Sequence, residues 1–150
     1  MMSEVNIKNR KASFEYQFID KFVAGIMLVG TEIKSIRNNK ANISDAHCVF
    51  VDNELFVKNL HIAVYNSGGY TNHEPKRDRK LLLNRQELNK MIGKVKEKGN
   101  SIIPLRLFIN EKGKAKLEIV LAKGKKIYDK RESIKAKDFK RDIDRIKNNR

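Results

Sequence analysis

Two apolar segments in the second half of the chain constrain its fold most. Ile102 to Ile109 is nearly continuous apolar, and Lys114 to Ala122 alternates, with Ala115, Leu117, Ile119 and Leu121 on one face. Asn110-Glu111-Lys112-Gly113 separates them as a turn. Further strands are expected around this pair. Phe14 to Ile19 alternates, with apolar residues at 14, 16 and 18, and Gly25 is read as a bend or bulge after it. His47 to Val51 and Glu54 to Val57 flank the polar pair Asp52-Asn53, which predicts a hairpin. The resulting class is mainly β with flanking helices.

Two helices are expected. Gly30 to Arg37 is short, with Ile33 and Ile36 on one face, and Asn38-Asn39-Lys40 ends it. Residues 85 to 98 place Leu88, Met91, Ile92 and Val95 at helical spacing. Asn84 is a good N-cap, Glu87 completes a capping box, and Gly99 suits the position after the helix. Asn66 to Lys80 reads as a polar loop. Short strands around a capped helix suggest a small barrel of the OB type over residues 1–122. Such barrels present a curved strand face to nucleic acids.

Charge then narrows the partner. Lys and Arg number 33 against 18 Asp and Glu, a formal net charge of +15 over 150 residues. Residues 123–150 carry +7 of it and few apolar side chains, which predicts a basic tail, disordered in isolation. Phe139, Ile143 and Ile146 keep helical spacing there, so a partner that covers the stripe and neutralises the charge would favour a helix. Such a cation excess points to a polyanion. No apolar run approaches the ~20 residues of a membrane span. Met1 to Asn6 lacks the apolar stretch of a signal peptide. The single cysteine, Cys48, reads as a small buried hydrophobe and fits a reducing cytoplasm. His47, His61 and His73 are too scattered for a zinc spacing, and no hydrolase elbow or Walker motif occurs. A binder, not an enzyme, is expected, with no cofactor, metal or small-molecule substrate.

Four segments then acquire meaning together. They are Asn9-Arg10-Lys11-Ala12 followed by Tyr16; Gly30 to Arg37 running into Lys40-Ala41-Asn42-Ile43-Ser44-Asp45; Arg79-Lys80-Leu81-Leu82-Leu83-Asn84 with Glu87-Leu88; and Ala122-Lys123-Gly124-Lys125-Lys126 with Asp129-Lys130-Arg131. In this order, in a basic chain of this length, they resemble the SsrA-binding family. The resemblance implies an OB-like barrel that binds the tRNA-like domain of transfer-messenger RNA. It implies a tail that enters the small ribosomal subunit at the decoding centre where mRNA is missing. Asn9, Leu82 and Asn84 match RNA-contacting positions of the family. Arg10, Lys11, Lys80, Lys123, Lys125 and Lys126 suit phosphates. In the tail, Tyr128, Asp129, Lys130, Arg131, Phe139, Ile143 and Ile146 would act at the decoding site, Tyr128 by stacking or hydrogen bonding. The chain departs from the pattern at Val23, where several relatives carry Glu, at Tyr128, where relatives can carry His, and at Lys147, where an apolar residue is common.

The residues leave alternatives open. Asn84 serves as cap, RNA contact or both, since its oxygen and its NH₂ can act separately. Leu82, in a Leu-Leu-Leu run, reads as core on composition alone; only the resemblance turns it outward. The basic residues also fit a solvated surface. A generic basic OB-type RNA-binding or ribosome-associated protein is the alternative function. A monomer is the expected state.

Overall fold

In the computed structural model, which describes residues 5–65, 72–97 and 99–124, the expected C-terminal hairpin is the centre of the molecule. It consists of β8 (Asn100–Ile109) and β9 (Ala115–Gly124), paired antiparallel. Asn110 makes the turn. Its Oδ1 accepts from the Lys112 and Lys114 N–H groups at 3.1 and 2.9 Å, while Gly113 takes a φ of +78°. β9 runs to Gly124, so Lys123 is the penultimate residue of a strand rather than the first of a tail.

Before the hairpin come β1 (Asn6–Lys8), α1 (Ala12–Glu15), β2 (Tyr16–Ile26), α2 (Gly30–Arg37), β3 (Ala41–Asn42), β4 (His47–Val51), β5 (Glu54–Lys58), β6 (His61–Ile62), β7 (Arg79–Leu82) and α3 (Arg85–Val95). β4 and β5 join through Asp52 and Asn53, both at positive φ, as a two-residue hairpin of the primed type requires. The large sheet has the order β1-β8-β4-β5-β7-β2-β9, and β9 pairs in turn with β8. Hydrogen bonding among six strands therefore returns on itself, with β1 added outside β8. β3 and β6 form a separate two-stranded pair. The class is mainly β with few helices.

Four expectations change. Phe14 and Glu15 belong to α1, and the strand starts at Tyr16 and continues unbroken through Gly25. The irregularities lie at Phe18/Asp20 in β2 and Pro104/Arg106 in β8, on both sides of β9. A bulge on each neighbour bends the sheet around β9. Gly25 instead marks a close approach of two strands: a Cβ there would meet the Leu82 Cβ at 3.3 Å, and Leu82 would have to give by a few tenths of an ångström. α3 stops at Val95, before the expected 98, and Gly99 (φ +85°) turns the chain into β8 rather than closing the helix. The segment read as a polar loop ends early, because Arg79 and Lys80 are strand residues. The tail from Lys125 onward lies outside the described residues.

The main core holds Ile36, Ile43, Leu55, Val57, Leu60, Ile62, Met91, Leu107, Leu117 and Ile119, all fully buried. Cys48 is buried as expected, and desolvation pushes its thiol pKa up, away from reactivity. A second cluster lies on the opposite face of the hairpin: Ala12, Ile103, Val120 and Ala122, with Tyr16, Phe18 and Leu105 against it. β9 is thus buried on both sides from Ile119 to Ala122. The strict alternation of its N-terminal half stops at Glu118 because Ala12 of α1, with Tyr16, Phe18 and Leu105, covers the outside beyond that point.

One polar centre sits inside. Glu32 of α2 and Arg79 of β7 are both fully buried and joined by a hydrogen bond from Arg79 Nε to Glu32 Oε2. Glu32 Oε1 accepts from Arg77 Nη2 at 2.6 Å and from the Val29 N–H at 2.9 Å, so it also caps its own helix. Arg79 donates onward to the carbonyls of Leu60 (2.6 Å) and Pro75 (3.0 Å). Ser35 donates to the Ala63 carbonyl. Thr31 donates to His73 Nδ1, and His73 Nε2–H donates to the Ile62 carbonyl at 2.9 Å. α2 is thereby fastened to the backbone around β6, which carries no long ladder of its own.

Burial is the largest influence on the Glu32 carboxyl and pushes its pKa up. The bonds from Arg77, the Val29 N–H and Arg79 outweigh it, and the net value lies below the ordinary one. A lowered folded-state pKa contributes stability that is complete above the unfolded value of about 4.3 and lost as pH falls through the folded value. Glu32→Gln should lower stability at pH 7 by about 3 kcal/mol, the scale for leaving a buried Arg without its charge partner. In denaturant titrations the gap between Glu32→Gln and the unmodified chain should narrow below about pH 4; a constant gap would show that the charge of Glu32 is immaterial.

Candidate nucleic-acid interface

Register fixes which side chains share the outside of the sheet. Leu107, Leu117 and Ala24 face the core, and their neighbours along each strand face out. Two rows result across adjacent strands. One reads Lys8, Arg106, Glu118, Val23; the other reads Asn6, Phe108, Lys116, Gly25, Leu82. Val23 and Leu82 are each 51% exposed. Leu82 and the Lys116 ammonium close over Gly25, beside an open cleft of about 380 Å³ that Ile26, Leu28, Ile33 and Lys114 help to line. The face combines cations with a half-buried aromatic and two apolar side chains, the mixture that RNA phosphates, riboses and unpaired bases require.

Three predicted residues meet at one end of this face. Leu82 points outward, against its composition-based reading and in line with the family resemblance. Lys80 lies two residues earlier on the same side of β7, half-buried, with Glu54 at 3.8 Å. Asn84 caps α3: its Oδ1 accepts from the Glu87 N–H at 2.8 Å, and Glu87 Oε1 reaches back to the Asn84 N–H at 3.4 Å. The Asn84 NH₂ has no partner among the described residues, so capping leaves it available as a donor.

Asn9, Arg10 and Lys11 lie elsewhere, at the junction of β1 and α1. Arg10 and Lys11 are exposed. Asn9 is bound inward. Its N–H donates to the Leu105 carbonyl at 2.7 Å and its Nδ2 to the Pro104 carbonyl at 3.1 Å. The bulge in β8 frees those carbonyls, and Asn9 uses them to hold α1 against the hairpin. Its Oδ1 is buried without a hydrogen-bond partner among the described residues, beside a cleft of about 390 Å³ shared with Tyr16, Asp45 and His47. Lys123 is exposed near the end of β9, opposite Gln17 and Asn100. The structure therefore groups Lys80, Leu82 and Asn84 and separates them from the Asn9 segment. Lys125, Lys126, Tyr128, Asp129, Lys130, Arg131, Phe139, Ile143 and Ile146 lie outside the described residues.

Sequence reading missed Arg106 and Phe108, because Ile102 to Ile109 looked like a continuous core strand. The signal was present in the Arg106-Leu107-Phe108 alternation opposite Lys116-Leu117-Glu118. Among the described residues no group of three or more His, Cys, Asp or Glu side chains could hold a metal ion. No helix among them is long and apolar enough to cross a membrane.

Comparison with known proteins places this geometry in a family. The chain matches the family described as SmpB protein over residues 6–149. It is 60% identical over 142 residues to an SsrA-binding protein of Phocaeicola vulgatus, covering 95% of each chain. It is 58% identical over 147 residues to that of Cytophaga hutchinsonii, covering 98% of this chain and 96% of the other. A solved chain described under "tmRNA-SmpB: a journey to the center of the bacterial ribosome" superposes with a TM-score of 0.71 at 41% identity, over 87% of this chain and 94% of that one. With a family match over nearly all its length, and relatives of this identity along the whole of it, the chain belongs to the SmpB protein family.

Proposed function

We propose that this chain binds transfer-messenger RNA through its tRNA-like domain and delivers it to stalled ribosomes for trans-translation. The observation that carries the reading is the near-full-length match to proteins named for SsrA binding, at 60% identity in the nearest case given above. The net charge of +15 and the mixed cationic and apolar sheet face agree with it. We read the self-returning ring of strands as an OB-like barrel that holds the RNA. Lys80, Leu82 and Asn84 would contact it on the outer face, while Arg10, Lys11 and Lys123 would meet phosphates elsewhere on the body. Asn9 acts first by fixing α1. Residues 125–150 form the ribosome-directed part: Lys125 and Lys126 continue the phosphate contacts, and Tyr128 to Arg131 with the Phe139, Ile143, Ile146 stripe occupy the empty decoding site and mRNA channel. The protein works as a monomeric binder in the cytoplasm, without a cofactor.

At moderate salt, a gel shift should show clear preference for transfer-messenger RNA over ordinary tRNA and random structured RNA. Equal binding to all three would leave only a generic basic RNA-binding module, because phosphate contacts alone do not select. Truncation after Gly124 keeps β9 whole; it should spare much of the RNA binding and abolish tagging of stalled products. Equal loss of both would end the division of labour between body and tail.

Asn84 separates its two tasks by substitution. Asn84→Ala should cost about 1 kcal/mol of stability through the lost cap. Asn84→Ser keeps a good neutral cap and loses the NH₂ donor, so it should hold the melting temperature and weaken RNA binding. Unchanged RNA affinity in Asn84→Ser would reduce Asn84 to a cap.

A further inference from the structure

Arg106 and Phe108 stand two residues apart on the outer side of β8. The Arg106 guanidinium lies over the Phe108 ring, with Cζ 4.1 Å from the ring centroid. Its Nε donates to Glu118 Oε2 at 3.1 Å, from the strand alongside. Ring and carboxylate therefore restrain the guanidinium from two directions. Its two terminal nitrogens have no hydrogen-bond partner among the described residues. Lys8 stands opposite Arg106 on β1, and Lys116 stands opposite Phe108 on β9. A cross-strand Arg–Glu pair at the surface contributes little to stability and does not need an aromatic ring beneath it. A restrained guanidinium plane flanked by two ammonium groups matches what an unpaired nucleotide offers: a flat base between phosphates. Bases stack on arginine planes as they do on aromatic rings.

We propose that Arg106, backed by Phe108 and held by Glu118, is a stacking platform for one unpaired nucleobase of the bound RNA, with Lys8 and Lys116 taking the adjoining phosphates. This rests on the RNA-binding reading and adds to it a selective element on the sheet face. Lysine cannot replace Arg106 in this role, since it keeps the charge and loses the plane. Phosphate contacts set affinity; the platform favours RNA that presents an extruded base at that point over fully paired RNA of the same charge.

The test is binding of the full-length chain to an RNA carrying the tRNA-like domain of transfer-messenger RNA, titrated across salt, with ordinary tRNA as comparison. Arg106→Lys and Phe108→Leu should each weaken binding to the former about tenfold, within the usual range for losing one stacked base. The slope of log affinity against log salt and the melting temperature should stay as in the unmodified chain. Lys116→Gln should behave differently and lower that slope by about one. If Phe108→Leu does not fold, Arg106→Lys decides alone. The platform is overturned if Arg106→Lys binds as tightly as the unmodified chain while Arg106→Met loses affinity together with about one unit of slope, for Arg106 is then a plain phosphate contact. Were the unmodified chain to bind both RNAs alike, the RNA reading itself would fall, and the platform with it.

Discussion

β9 is hydrogen-bonded along nearly its full length on both sides, to β2 and to β8. Its inner residues, Leu117, Ile119 and Leu121, supply the middle of the main core, and its outer residues divide into two kinds. Lys116 and Glu118 remain on the open face, whereas Val120 and Ala122 pack under α1. A shift of one residue in the pairing would exchange core and solvent sides along the strand and destroy both clusters. The candidate interface depends on this register, because the side chains that share the open face come from strands distant in sequence. The bulges in β2 and β8 follow from the same constraint: they bend the neighbours while β9 keeps its pairing.

The buried Glu32–Arg79 pair does a different job. Most strands here are held by long ladders, but β3 and β6 have two residues each. The segment around them depends on side-chain bonds to backbone carbonyls, and Arg79 reaches those of Leu60, Glu74 and Pro75 while neutralised by Glu32. Without that neutralisation a charged guanidinium could not lie in the interior. β7 carries Arg79 inward and Lys80 and Leu82 outward. The same strand therefore anchors the interior and presents part of the candidate interface, which couples the position of Leu82 to the packing of α2.

Local rules were legible wherever a single residue type carries the mechanism. Asp52-Asn53 announced a hairpin turn, Asn110-Glu111-Lys112-Gly113 announced another, and Asn84 with Glu87 announced the start of α3. They failed where long-range packing decides. Phe14 alternates with Tyr16 and Phe18, but it lies in the helical turn α1, whose Ala12 is buried with Val120 and Ala122. Arg79 and Lys80 read as part of a loop because their pairing partners, Phe56 and Val57, lie more than twenty residues away. Arg106 and Phe108 were concealed in an apolar run, since their short alternation about Leu107 gains its meaning only from the pairing with Lys116-Leu117-Glu118, which register decides.

By itself the sequence determined the mainly β class, the hairpins, the capped helix, the basic character and the family resemblance. Each rests on local chemistry or on residue types in a fixed order. Tertiary structure alone decided that the pairing of six strands returns on itself. It also decided that Asn9 donates to the Pro104 and Leu105 carbonyls and that the Arg106 guanidinium lies over Phe108 beside Glu118. These outcomes depend on cross-strand register, which is settled by the simultaneous burial of many apolar side chains and is not carried by any short segment.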